Sequence, residues 1–334
     1  MAIVYGPVPS WRLGKSLGVD PMPPPKTCVY DCIYCQLGPT RVKEFDPKAV
    51  VAKVKPESLA IELSSYLKRR GSAGIDYVTF SGSGEPTLNP YLGEMVGIVK
   101  GMVDLPVALL TSAGNLFLPE VRDELLGFDV VVAKLDAPEE RSFRLINRPH
   151  PKVRFDEVLE GLKEFRKGFK GILAAEVMLL KEDRLGLDTS KDECLSALAE
   201  LAKELGFDEV HLGTVIRPPA IPTVRRVSDD ELLKAEGLFE ELMPRHVTIL
   251  SPLHPRPPKP YELKGIEGLK DEILSFLVRR PSRAKGLSLG LGVSLKEVER
   301  ALGELESEGL VSSYEYMGSV FYKPKLTNPS NPFK

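Results

Sequence analysis

Three cysteines stand close together in the segment PPPKTCVYDCIYCQLGPT, at Cys28, Cys32 and Cys35. Their spacing, C-x3-C-x2-C, puts three soft thiolates on one loop. That donor set selects zinc, copper(I) or an iron–sulfur cluster. A structural zinc usually takes four protein ligands, often from two paired knuckles, and here the only other cysteine is Cys194. Three thiolates can instead hold three irons of a cubane and leave the fourth iron open to a small molecule. A zinc shared with a histidine or aspartate is the alternative. A disulfide framework would spread its cysteines to close loops, and the cytosol would keep them reduced.

Other chemistry-bearing residues punctuate apolar segments downstream. FSGSGEPTLNP carries Gly82, Gly84 and Glu85, and LLTSAGNL carries Thr111, Ser112 and Asn115. In AKLDAP, Lys134 and Asp136 alternate about Leu135, so they share one face of a strand. Glu176 lies within ILAAEVMLL, and His211 and Thr214 lie within EVHLGTV, with Arg217 just beyond. Charges on such strands need partners, because burying them unpaired is costly. Each also has a reading without a ligand: Glu85 as a helix cap, Lys134 and Asp136 as a mutual ion pair, His211 as a structural histidine.

The elements that must position these residues alternate. Helical spacing fits 56–70, 90–102, 118–126, a region reaching 168, 190–205 and 228–242. Strand signals fit 75–80, 107–111, 129–137, 172–180 and 209–215. A short first strand around SLGVD makes about six βα units. Apolar, β-branched strands in such units imply a parallel sheet, and functional groups then belong at the C-terminal ends of the strands.

With its aromatic Tyr34, the cysteine loop resembles the C-x3-C-x-Φ-C motif of the radical SAM superfamily. The resemblance implies a partial (β/α)6 TIM-like barrel, a 4Fe-4S cluster on Cys28, Cys32 and Cys35, and S-adenosylmethionine bound to the unique iron. It implies reductive cleavage of that cofactor to a 5′-deoxyadenosyl radical, with an external low-potential electron donor. GSGE resembles the family's Gly-Gly-Glu element, with Ser83 in place of a glycine. On this reading Tyr34, Gly82, Gly84, Glu85, Thr111, Ser112, Lys134 and Asp136 bind the cofactor. His211, Glu176 and Cys194 are candidate catalytic groups. Cys194 lies on an amphipathic outer helix, where a small buried structural cysteine is the competing reading. With no further cysteines there is no cysteine-ligated second cluster.

The opening YGPVPSWRLGKSLGVDPMPPPK is too rich in Pro and Gly to be a helix. It resembles a little-characterised group of radical SAM proteins distantly related to the tRNA wybutosine-synthesis enzyme. The expected organisation is a barrel over 1–250, a Pro-rich linker over 251–265, a C-terminal domain over 266–325 and a tail over 326–334. In that domain, helices at 269–280 and within SRAKGLSLGLG precede a third helix. Ser294 caps the third, with Glu297 in the capping-box position. A hairpin turning at Gly318 completes the pattern of a winged helix.

Nine Lys and Arg face nine acids over 265–325, and five of those acids fall on the third helix and its C-terminus: Glu297, Glu299, Glu304, Glu306 and Glu308. Phosphate repels such a face, which argues against reading DNA in the major groove. The basic stretch RRPSRAK (279–285) suits an RNA backbone; gripping a protein or packing on the barrel are the alternatives. The favoured function is a radical SAM enzyme modifying tRNA or another RNA. A protein or metabolite substrate, or a metal-containing winged-helix regulator, are the rivals.

Hydrophobic content of 43% and charged content of 28% mark a globular chain, and a net charge of −2 gives no global field for nucleic acid. No apolar run reaches the roughly 18–20 residues that span a bilayer. The first residues lack a signal peptide's basic start and apolar core, so the expectation is a cytoplasmic protein with no membrane partner.

Overall fold

The computed structural model describes residues 2–51, 53–256 and 268–325. The expected linker therefore lies outside the described residues from 257 onward, as does the tail. An N-terminal hairpin, β1 (Val4–Ser10) and β2 (Gly14–Val19), leads to a short parallel pair, β3 (Thr27–Cys28) and β4 (Val42–Lys43). Then follow α1 (Pro56–Arg70), β5 (Tyr77–Phe80), α2 (Leu92–Met102), β6 (Val107–Thr111), α3 (Pro119–Leu125), β7 (Val130–Lys134), α4 (Glu140–Ile146) and α5 (Phe155–Gly168). Next are β8 (Ile172–Glu182), β9 (Leu187–Asp188), α6 (Asp192–Glu204), β10 (Glu209–Thr214), β11 (Arg225–Arg226), α7 (Asp229–Leu242) and β12 (Thr248–Leu250). The last described elements are α8 (Leu269–Arg279), α9 (Ala284–Leu291), α10 (Leu295–Ser307), β13 (Val311–Tyr316) and β14 (Ser319–Pro324).

The main sheet runs β1-β2-β5-β6-β7-β8-β10-β12 and curls into a half-barrel. Every neighbouring pair from β2 to β12 is parallel, and β1 alone joins this path antiparallel. Strands such as VVVA in β7 are buried throughout, the apolar run of a sheet covered on both faces. The helices supply one cover: α1, for example, buries Leu59, Leu63 and Tyr66.

Two strands exceed the expected βα units. β1 holds Pro7 and Pro9 and read as irregular; as the edge strand it has no second neighbour to receive the missing amide protons. β12 is three residues long, too short to show a period in the sequence.

The C-terminal helices and the β13–β14 hairpin share their own core of Ile273, Phe276, Leu287, Leu291, Leu302 and neighbours. Ser294 caps α10 as expected, its Oγ accepting from the Glu297 amide while Glu297 bonds back. α8 and α9 pack on β1, so this unit covers an otherwise open sheet edge. The fit is close: a Cβ on Gly290 would stand 2.7 Å from the Pro7 carbonyl. Among the described residues no helix is long and apolar enough to cross a membrane.

Candidate active site

The cysteine loop is held from two sides. Ile33 donates its amide to the Ile146 carbonyl at 3.0 Å and Asp31 to that of Asn147 at 2.9 Å, seating the loop on the end of α4. On the other side Glu85 donates its amide to the Thr27 carbonyl at 2.9 Å. Cys28, Cys32 and Cys35 are each half-buried. Burial, then Glu85, pushes the Cys28 thiol well up, and burial, then Asp136, pushes Cys32 up to about 12. Such thiols need a metal's charge to deprotonate.

The donor set, three soft thiolates on one loop, suits an iron–sulfur cubane. A cubane asks each thiolate to reach a separate iron. Cys194 lies on α6, packed against the core and away from the loop, with its thiol pushed up to about 11 by burial. Lys26 places Nζ 3.2 Å from Cys35 Sγ and 2.7 Å from the Gly38 carbonyl. Burial opposes its charge, but the cysteines outweigh burial and keep it protonated.

Glu85 sits at the end of the loop after β5 and is 2% exposed. Its carboxylate accepts from the Thr87 amide at 3.1 Å, from Thr111 Oγ1 at 2.7 Å and from the Ser112 amide at 2.7 Å. The helix-cap reading thus holds, since Glu85 caps the turn Pro86–Leu88, and the carboxylate also ties the ends of β5 and β6 together. Gly82 and Gly84 are required by close approach within the protein: a Cβ would stand 2.2 Å from Asp20 Cγ at the first and 2.3 Å from the Thr27 carbonyl at the second.

Lys134 and Asp136 do not pair with each other, which corrects the ion-pair alternative. Lys134 Nζ bonds Glu176 Oε2 at 2.6 Å and lies 4.9 Å from the centre of the Tyr34 ring. Asp136, 2% exposed, accepts from the Tyr34 hydroxyl, from Asn147 Nδ2 at 2.7 Å and from the Met178 amide at 3.0 Å. Burial is the main cause that raises its pKa. Asn147 also points Nδ2 at Cys32 Sγ, 3.6 Å away. The carboxylate therefore orients both the aromatic of the loop and a donor to a ligand sulfur.

Glu176 is buried and bracketed by Arg12 and Lys134. Burial alone would raise its pKa; the two cations outweigh burial and hold it at about 2. His211 is fully buried, with Nε2 2.8 Å from Glu209 Oε2 and its ring edge-on to Trp11. Glu209 also holds Arg256 at 2.9 Å. Burial lowers the His211 pKa, so it is neutral and locked in a network.

Arg12, Asp20, Gln36 and Asn147 were not singled out from the sequence, and Arg279 entered only as part of the basic stretch 279–285. Asp20 follows β2, a strand-end position that the barrel rule marks. The others carry no local signal. Arg279 also corrects an expectation: it is not free for a nucleic acid, because it is buried against Asp20.

A family model described as Radical SAM superfamily matches residues 22–185. The chain is 32% identical to a UPF0026 protein of Methanocaldococcus jannaschii over 99% of its own length and all of the relative's. It is 35% identical to a UPF0026 protein of Helicobacter pylori, over 85% of this chain and 86% of that one. In fold it is similar to a radical SAM methyltransferase from Sphaerobacter thermophilus, with a TM-score of 0.52 at 16% identity, over 71% of this chain and 66% of that one.

Proposed function

Since the chain belongs to the UPF0026 family and is a radical SAM enzyme, with a 4Fe-4S cluster and S-adenosylmethionine as its cofactors, we propose that its substrate is tRNA or another RNA. When bound, the cluster and S-adenosylmethionine together supply an organic radical that abstracts a hydrogen atom. The chain's own residues do the rest. Cys28, Cys32 and Cys35 hold three irons. Tyr34, Gly82, Gly84, Glu85, Thr111, Ser112, Lys134 and Asp136 shape the cofactor's bed. Glu85 carries four protein donors, three on Oε1 and one on Oε2, so the less crowded Oε2 is the oxygen that would take an ammonium group. An external low-potential donor supplies the electron.

The observation that supports RNA is the placement of the basic stretch. Arg280 lies against the Pro9 carbonyl, and Arg283 and Lys285 are exposed beside it, while the carbonyl of Arg279 accepts from Gln36, next to Cys35. The three helices and hairpin fit a winged helix whose basic segment, not its third helix, meets phosphate. On α10, Glu297, Glu299, Glu304 and Glu308 are exposed and would repel it, which disfavours a DNA-binding regulator.

The test compares modified nucleosides in total RNA from a deletion strain and its parent. Loss of one modification, restored by the wild-type gene and not by a Cys32→Ala gene, is the expected result. An unchanged profile transfers the reading to a protein or metabolite substrate.

A further inference from the structure

Three arginines from distant segments meet beside the cysteine loop. Arg12 lies in the β1–β2 turn and reaches across the interior of the half-barrel to Glu176 on β8. Arg217 lies just beyond β10, and Arg280 ends α8. Gln36, adjacent to Cys35, bridges two of these segments: Arg217 Nη1 donates to its Oε1 at 3.2 Å, and its Nε2 donates at 3.2 Å to the carbonyl of Arg279, next to Arg280; Arg280 in turn bonds the Pro9 carbonyl, near Arg12.

Their charge is not matched by the protein. Arg12 and Lys134 share the carboxylate of Glu176, and Asp136 is the next negative charge acting on Lys134. Among the described residues Arg217 bonds only the neutral amide of Gln36, and Arg280 only the Pro9 carbonyl. Neither has a carboxylate partner there. Among the described residues Arg12 Nε is a buried donor without a hydrogen-bond partner; such a group in a folded protein calls for an absent occupant. Burial, followed by the fields of Arg280, Arg12 and Arg283, depresses the Arg217 pKa. A guanidinium does not deprotonate in a protein, so an anion relieves that repulsion.

We propose that Arg12, Arg217 and Arg280 form a phosphate-binding subsite that holds the substrate beside the cysteine loop. Charge favours phosphate over a carboxylate. Arg217 and Arg280 are two positive charges without a carboxylate partner, which one carboxylate cannot offset and a phosphate monoester, with about two negative charges, can. The subsite deepens the RNA reading, and rests on it only for what carries the phosphate.

The experiment titrates the anaerobic holoenzyme, saturated with S-adenosylmethionine, with cytidine 5′-monophosphate, with cytidine and with a 5′-phosphorylated ten-nucleotide RNA. The nucleotide is expected to bind at least about tenfold more tightly than the nucleoside, the worth of one charge-assisted contact. Arg217→Gln and Arg280→Gln should each remove roughly tenfold of that advantage, while Lys234→Gln, at an exposed pair on α7, changes nothing. Equal binding of nucleotide and nucleoside overturns the subsite, and so does full retention of the preference in both arginine variants. If a glutamine variant does not fold, the wild-type comparison and its salt dependence decide: added potassium chloride should weaken the nucleotide and spare the nucleoside. Nucleotide binding without tighter RNA binding upholds the subsite and sinks the RNA reading.

Discussion

Arg279 of α8 donates its Nε to Asp20 at 2.8 Å, with both side chains 1% exposed. The same carboxylate oxygen accepts from the Ser83 amide at 3.0 Å and from Ser83 Oγ at 2.7 Å. Ser83 lies between the two glycines that lead to Glu85, at the position where the family element carries a glycine. Arg279 further bonds the Ala2 carbonyl, and its guanidinium stands 4.5 Å from the centre of the Tyr5 ring. The C-terminal unit therefore helps to set the loop that we propose as part of the cofactor's bed.

Asp20→Ala should leave a buried guanidinium unpaired and cost about 3–5 kcal/mol. Chemical denaturation measures this. A loss below about 1 kcal/mol would show that the pair is solvated. Ser83→Ala removes one of three donors and should cost roughly 1 kcal/mol.

Gly84→Ala should weaken binding of S-adenosylmethionine and lower stability by about 1–3 kcal/mol. The added methyl meets the Thr27 carbonyl, which is backbone beside Cys28. Equilibrium dialysis with labelled cofactor checks it, and unchanged affinity would mean that the loop yields without cost.

Cys32→Ala should abolish the anaerobically reconstituted 4Fe-4S cluster, read as iron and sulfide content and as the cluster's visible absorption. Retention of a full cluster would refute the ligand assignment. Cys194→Ala should leave both readings unchanged.

Asn147→Ala removes the amide directed at Cys32 Sγ. Hydrogen bonds to cluster sulfurs favour the reduced, more negative state, so the variant's reduction potential should become more negative. Redox titration followed by electron paramagnetic resonance reads the shift. Asp136→Asn should move the potential as well, because it loosens Asn147.

Glu176 gives a defined acid response. Its folded pKa of about 2 lies below the ordinary value of 4.5, so its stabilisation is present above about pH 4.5 and is lost as pH falls toward 2. The contribution is on the order of 3 kcal/mol. Glu176→Gln should flatten that part of the stability–pH curve, and Lys134→Met should shift its midpoint upward. A wild-type slope retained in Glu176→Gln would assign the acid response to other carboxylates.

The sequence by itself determined the ligand loop, the alternation of strands and helices, and the strand ends where polar residues gather. Those features are local: three cysteines on one loop share their geometry through a few backbone bonds, and hydrophobic periodicity follows from the pitch of each element. The capping box at Ser294 was legible for the same reason. Tertiary structure alone decided who partners whom. Asp20 and Arg279 are separated by 259 residues, Arg12 and Glu176 by 164, and Tyr34 and Asp136 by 102. A buried charge announces that it needs a partner, but not which one, because the choice depends on how the sheet curls and where the C-terminal unit lands on β1. The glycines show the same limit: their type signalled a close approach, and only the fold revealed that Asp20 and Thr27 are what approaches.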